Sequence, residues 1–102
     1  MDTGVIAVRY AKALLESAIQ QKQEGEVYAE MQTLSTNYIQ VPQLRFTIDN
    51  PMLQKEKKRD LLIVALGNNP SQLAVSFIEL VLKEGRENMI QFMANSFITL
   101  YR

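Results

Sequence analysis

The sequence contains no cysteine and no histidine, and its four glycines stand apart from one another. Without cysteine there is no disulfide and no thiol nucleophile, and without histidine the commonest general base and metal ligand are missing. Isolated glycines do not form the glycine-rich loop that binds phosphate groups. We therefore expect no catalytic residue, no metal site and no bound cofactor in this chain.

An excess of charge of one sign is also missing, because 11 lysine and arginine residues balance 11 aspartate and glutamate residues. A formal charge of zero gives no general attraction to nucleic acids or to anionic membranes. The most basic run, residues 55–59, contains Glu56 and has no aromatic side chain to stack on bases. We interpret this run as a solvated helix face and expect no nucleic-acid partner. Binding of DNA or RNA through it is the alternative.

The sequence has no long hydrophobic run. The densest apolar stretch, residues 73–82, includes Ser76 and Glu79. It is far shorter than a membrane-spanning helix, which needs about 20 apolar residues. The N-terminus has neither the basic region nor the small-residue cleavage site of a signal peptide. We expect no direct membrane insertion, so any membrane association must come through partner proteins.

Helical periodicity is what the sequence does contain. Its 102 residues suit one domain, and 47% hydrophobic with 22% charged residues is typical of a globular protein. Apolar residues recur at helical spacing along nearly the whole chain. The pattern predicts an all-α six-helix bundle, with five substantial helices and one short helical turn (third in order), in a single domain over residues 1–102. The predicted segments are residues 5–20, 26–40, 43–48, 53–66, 71–84 and 86–102.

Two of these segments, the first and the fifth, are too apolar for surface helices. At about 100° per residue, their apolar bands cover roughly 240° and 220°, whereas a surface helix has a stripe of a little over 100°. Either both helices lie at the centre of the bundle, or their spare edges form a groove for a partner helix. The pattern leaves both interpretations open. The spare edges consist of Ile6, Tyr10, Ala13 and Ser17 on the first helix and Leu73, Ser76, Phe77 and Leu80 on the fifth.

Local signals add several expectations. Gly25 predicts the stop or turn after the first helix. Leu44, Phe46 and Ile48 are expected to be buried in the short third element. In the fourth helix the basic first half is expected to be solvated and the second half buried. Glu84 and Glu87 are interpreted as solvated carboxylates at a helix junction. The methionines Met31, Met52, Met89 and Met93 are interpreted as core residues.

One stretch of the first helix, residues 7–14 with the sequence AVRYAKAL, resembles a family signature. It is similar to the N-terminal signature of the delta subunit of F-type ATP synthases, whose mitochondrial counterpart is the oligomycin-sensitivity-conferring protein. Other segments agree in order and spacing. Asn50-Pro51 precedes a lysine-rich helix, residues 77–81 lead to Gly85-Arg86, and the last helix ends with residues 97–100.

The resemblance implies an N-terminal six-helix bundle from a longer subunit. The family's C-terminal domain, which meets the b subunit of the peripheral stalk, is expected to be absent from this chain. That the last helix stays apolar up to Leu100-Tyr101 also suggests a chain cut from a longer protein. The implied location is peripheral, at the cytoplasmic face of the bacterial inner membrane, as part of the synthase.

The resemblance also implies a non-catalytic stator function. The bundle would bind the N-terminal helix of an alpha subunit between its first and fifth helices, clamping the catalytic head to the stalk so that rotation drives ATP synthesis. The alternative is a generic all-α protein-interaction or regulatory module. Carried over by position, the expected partner-helix binding residues are Ile6, Tyr10, Ala13, Ser17, Tyr28, Leu73, Ser76, Phe77 and Leu80.

Overall fold

The computed structural model describes residues 3–102, with side chains from residue 4 onward. Over these residues the chain forms six α-helices and one turn of 3-10 helix, Glu87–Met89, with no strand. The all-α prediction is confirmed, including the short third helix. The helices are α1 (Thr3–Gln20), α2 (Glu24–Gln40), α3 (Pro42–Asp49), α4 (Lys55–Ala65), α5 (Gln72–Lys83) and α6 (Ile90–Tyr101).

Helix α6 occupies the centre of the bundle, where it packs most extensively against α1 and α2. Both α2 and α6 bury one apolar stripe, as their helical periodicity predicts. The α2 stripe consists of Val27, Met31, Leu34 and Tyr38, and the α6 stripe of Ile90, Met93, Ala94 and Phe97.

The N-terminus of α5 is attached to α2 by a buried carboxylate. Ser71 caps α5, since its hydroxyl accepts a hydrogen bond from the backbone N–H of Ala74 at 3.2 Å. Glu30 on α2 accepts a hydrogen bond from the Ser71 hydroxyl at 2.7 Å and another from the Ser71 backbone N–H. These bonds satisfy a carboxylate that is costly to bury without partners. They also fix where α5 begins.

The C-terminus of α5 closes in a Schellman motif. Gly85 has a φ of +69° and donates its N–H to Leu82 O at 3.0 Å, while Arg86 donates to Val81 O at 3.0 Å. Glycine is the usual residue at this position because other residues are strained at positive φ. The motif therefore fixes the backbone of Arg86 immediately beyond the helix.

Helix α1 ends in the same motif, but without glycine. Lys22 has a φ of +59°, and it donates to Ile19 O at 3.0 Å while Gln23 donates to Ala18 O at 2.8 Å. The prediction that Gly25 forms this turn is wrong, because Gly25 lies inside the first turn of α2. Two hydrogen bonds that cap α1 outweigh the modest strain of one lysine.

Three predictions of burial are wrong. Phe46 is 71% exposed, because α3 turns Ile48 and part of Leu44 toward the core instead. Met52 is also exposed, whereas Met31 and Met93 are buried as expected. On α4 the predicted division into a solvated and a buried half fails, because burial follows the face of the helix. Lys58 is buried in the first half, and Val64 is exposed in the second.

Lys58 is buried because it shares the inner face of α4 with Leu62 and Ala65. Its Nζ donates to Glu87 Oε2 at 2.9 Å, so Glu87 is not the solvated carboxylate that the sequence predicted. Burial alone would raise the pKa of Glu87, but the hydrogen bond and the positive charge of Lys58 lower it overall. This ion pair connects α4 to the turn before α6.

Two glycine substitutions test the assigned turns. We expect Gly25→Ala to raise the free energy of unfolding by about 0.5 kcal/mol, because alanine is preferred to glycine inside a helix. Its Cβ would meet only Tyr101 Oη, at an ordinary 3.6 Å.

Gly85→Ala should lower the free energy of unfolding by about 1 kcal/mol, since the φ of Gly85 is positive. No heavy atom lies within 4 Å of the added Cβ, so its effect is conformational. Urea unfolding measures both, and a loss of stability in Gly25→Ala would contradict the assignment.

The buried ion pair predicts a specific pH dependence. Glu87→Gln leaves the Lys58 ammonium buried without a counter-charge, and we expect a loss of about 3 kcal/mol at pH 7. Because the pKa of Glu87 is lowered in the folded state, the unfolded state binds more protons as the pH falls below about 4.3. The native protein therefore loses this stabilisation on acidification, and its stability should converge with that of the variant.

The control for this experiment is Glu79→Gln, which breaks the more exposed ion pair with Arg59. We expect a change below about 1 kcal/mol at pH 7. Denaturant unfolding at a series of pH values distinguishes the two pairs. Equal effects of Glu79→Gln and Glu87→Gln at pH 7 would refute the importance of burial.

Candidate functional site

Helices α1 and α5 each leave one apolar edge uncovered. The inner face of α1 is buried through Ala7, Ala11, Leu14 and Ala18, whereas Ala13 is exposed. On α5, Ile78 and Val81 are fully buried and Leu80 is 46% exposed. The backbones of α1 and α5 approach each other only loosely, because α1 packs mainly on α6 and α5 mainly on α4. The interpretation of both helices as fully enclosed is therefore wrong.

A groove with a volume of about 320 Å³ lies between the two helices. Phe77 forms part of its floor, Tyr10 and Ser17 are half-buried, and Ala13 and Ser76 are exposed at its walls. Small residues alternate with large ones, so the groove has room between its larger side chains. The residues that line it are Arg9, Tyr10, Ala13, Leu14, Ser17, Ser76, Phe77, Leu80 and Glu84.

The structure brings together most of the residues that the sequence proposed for partner binding. Tyr10, Ala13, Ser17, Ser76, Phe77 and Leu80 all line the groove. Ile6 and Leu73 do not line it, because Ile6 is buried in the domain and Leu73 packs partly against the core.

Tyr28 lies elsewhere, on α2 rather than in the groove. Its ring stacks on Tyr101 with the centroids 4.4 Å apart. Its hydroxyl accepts hydrogen bonds from Arg102 Nε at 2.9 Å and from Gln32 Nε2 at 3.0 Å. In this structure Tyr28 connects α2 to the end of α6.

The sequence pattern did not assign Arg9, Leu14 or Glu84 to the groove, although helical spacing contains the signal. Arg9 precedes Ala13 by four residues, and Glu84 follows Leu80 by four, so each lies one turn along the same helix edge. Wheel projection separated polar from apolar residues, and therefore assigned Arg9 to the solvent and Leu14 to the core. The wall of this groove, however, contains both polar residues such as Arg9 and apolar residues such as Leu14.

The chemistry of the groove favours binding over reaction. Its lining is mainly apolar, and its charged groups, Arg9 and Glu84, are one cation and one carboxylate. Among residues 4–102, no cluster of three or more acidic side chains could hold a metal ion. Over the same residues no helix has the length and apolar character that crossing a bilayer requires.

A second cavity, of about 280 Å³, lies between α2 and the loop after α4. It is lined partly by Glu26, Glu30 and Asn69. Both oxygens of the Glu30 carboxylate already accept hydrogen bonds from Ser71, so this side of the cavity serves to attach α5 to α2.

The chain is similar to known proteins over nearly its whole length. Residues 6–102 match the family described as ATP synthase delta (OSCP) subunit. Over its whole length the chain is 45% identical to ATP synthase subunit delta of Phocaeicola vulgatus and 40% identical to that of Parabacteroides distasonis. It is 30% identical over 100 residues, 98% of the chain, to the chloroplastic delta subunit of Ochrosphaera neapolitana.

The chain spans only part of these relatives, covering 56% of the Phocaeicola and Ochrosphaera proteins and 57% of the Parabacteroides protein. The family match itself includes all the residues that line the groove. This chain belongs to the ATP synthase delta (OSCP) subunit family.

Proposed function

We propose that this chain is a stator module that binds the N-terminal helix of an ATP synthase alpha subunit in the groove between α1 and α5. The observation that carries this proposal is an open, mainly apolar groove in a chain of the delta subunit family. The module has a structural, non-catalytic role. It holds the catalytic head against the torque of the rotor, so that rotation drives ATP synthesis.

A helix suits the groove because one face of an amphipathic helix presents side chains at i, i+3, i+4 and i+7 to an apolar channel. Ala13 and Ser76 leave room for large partner side chains beside Phe77 and Leu80. Each large apolar side chain that is fully buried contributes about 1.5–3 kcal/mol. Three such anchors give about 5–9 kcal/mol before the cost of ordering, which corresponds at best to micromolar binding.

A stable clamp therefore needs more than this groove. We propose that the remainder of the longer subunit, in particular a C-terminal domain outside this chain, contacts the b subunit of the peripheral stalk. Two linked contacts raise the overall affinity above that of either one, because the second becomes intramolecular. The assembly would lie at the cytoplasmic face of the bacterial inner membrane.

The alternative function is a generic all-α interaction or regulatory module. Such a module would have no affinity for the alpha N-terminal peptide and would self-associate at higher concentration. Sedimentation at several concentrations, with and without the peptide, separates the two functions.

The first test places a charge in the groove. Leu80→Asp should weaken binding of a synthetic alpha N-terminal peptide at least tenfold, or about 1.4 kcal/mol, because the partner helix must then desolvate a carboxylate. Leu61→Asp on α4 is the control, since Leu61 is a similarly exposed leucine, 38% against 46%, outside the groove. Isothermal titration calorimetry gives the affinities, and circular dichroism checks the fold. Equal affinity of the two variants would rule out the groove.

A second test fills the groove without adding charge. Ala13→Phe should keep the stability of the domain, because Ala13 is exposed, yet it should reduce peptide affinity at least tenfold by occupying the channel. Lys12→Phe adds the same ring at an adjacent exposed position outside the groove. The same titration should give native affinity for Lys12→Phe. Tight binding by Ala13→Phe would mean that the peptide docks elsewhere.

A further inference from the structure

The two ends of the groove differ in charge. Arg86 follows α5, and its Cζ lies 6.0 Å from the centroid of the Tyr10 ring near the start of α1. The C-terminal end of α5 is therefore close to the N-terminal half of α1. Arg9 and Glu84 line the groove and are close in the chain to Tyr10 and Arg86, and Arg86 adjoins the groove through Tyr10. Ser17 and Ser76 line the groove eight residues away from Arg9 and Glu84, about two turns along each helix.

The charged end has one more cation than it has carboxylates. Among residues 4–102, no side chain forms an ion pair with Arg9, Arg86 or Glu84. Two guanidinium groups and one carboxylate leave a formal excess of one positive charge at this end. The far end has no charged lining residue, although Glu16 lies next to Ser17 on the exposed side of α1.

The position of Arg86 favours binding of a carboxylate. The Schellman motif at Gly85 fixes its backbone, and its guanidinium group lies over the Tyr10 ring at the outer limit of a cation–π contact. The N–H donors of a guanidinium lie in its own plane, where they pair with a carboxylate in two parallel hydrogen bonds. Little side-chain freedom is then lost when a carboxylate binds.

The far end offers hydroxyl groups instead. Ser76 Oγ accepts a hydrogen bond from Gln72 Nε2 at 3.2 Å, so its own O–H remains able to donate. This end accommodates an uncharged polar group or a backbone carbonyl. A partner helix therefore meets a cationic end, an apolar centre and a hydroxyl end along one groove.

We propose that the groove selects a partner helix that carries an acidic side chain at one end of its apolar stripe, and that Arg86, assisted by Arg9, pairs with this carboxylate. The proposal rests on the function proposed above and adds the charge and the register of the bound helix. Glu84 opposes the pairing and would reject partners with a second acidic side chain nearby.

The test uses the synthetic alpha N-terminal peptide and titration at low and high salt. We expect Arg86→Gln to raise Kd about tenfold at low salt and Arg9→Gln to raise it about threefold. Glu84→Gln should lower Kd. Lys12→Gln is the control, because Lys12 is an exposed cation of α1 that does not line the groove, and it should change Kd less than twofold. The differences should shrink in 1 M salt, where exposed charges are screened.

A double-mutant cycle identifies the pairing directly. Peptides in which each carboxylate is replaced in turn by the amide are titrated against the native domain and against Arg86→Gln. We expect one peptide position at which the effect of Arg86→Gln disappears, since the pair is then already broken. Thermal unfolding of Arg86→Gln shows whether the substitution also destabilises the domain by displacing Tyr10. Arg9→Gln changes an exposed side chain, so we expect its unfolding temperature to stay native while its peptide affinity falls.

The outcomes distinguish this inference from the proposed function. If Leu80→Asp weakens binding but the arginine variants behave like Lys12→Gln, the groove stands and the acidic pairing is wrong. A peptide without any carboxylate that binds with full affinity also overturns the pairing. If the peptide does not bind the native domain, or the domain instead pairs with a second copy of itself, both proposals fail.

Discussion

Burial of α6 between α1 and α2 organises the helical bundle. Ile90, Met93 and Phe97 are shielded from solvent there, and no other helix makes such extensive contacts. By packing on α1, helix α6 takes the position that α5 would need to cover α1 completely. The apolar edge around Tyr10 and Ala13 is therefore only partly covered by its own domain.

The position of α5 is set by polar contacts at its ends and along its side. Glu30 holds Ser71 before the first turn, Arg59 pairs with Glu79 on the outer face, and Gly85 closes the last turn. Hydrophobic burial of Ile78 and Val81 also holds α5 in the bundle. The groove follows from where α5 is attached.

Helical spacing predicted the six helices and the two over-wide apolar bands, because backbone hydrogen bonding gives every helix the same period. It failed where the burial of a residue depends on side chains that are distant in the sequence but close in the structure. Lys58 looked solvated within a basic run, yet it shares a face with Leu62 and meets Glu87, which is 29 residues away. Phe46 was predicted to be buried together with Leu44 and Ile48, but the short α3 buries Ile48 and exposes Phe46.

The fold class, the helix order and the family followed from the sequence alone, since periodicity and the AVRYAKAL stretch are local in the chain. The packing of the helices was needed to show that Arg9 and Glu84 line one groove, that Arg86 lies over Tyr10, that Tyr28 lies outside the groove, and that Lys22 forms the turn assigned to Gly25. The reason is physical. A helix wheel gives the direction of a side chain from its own axis, whereas the tertiary packing of several helices determines which edges stay open.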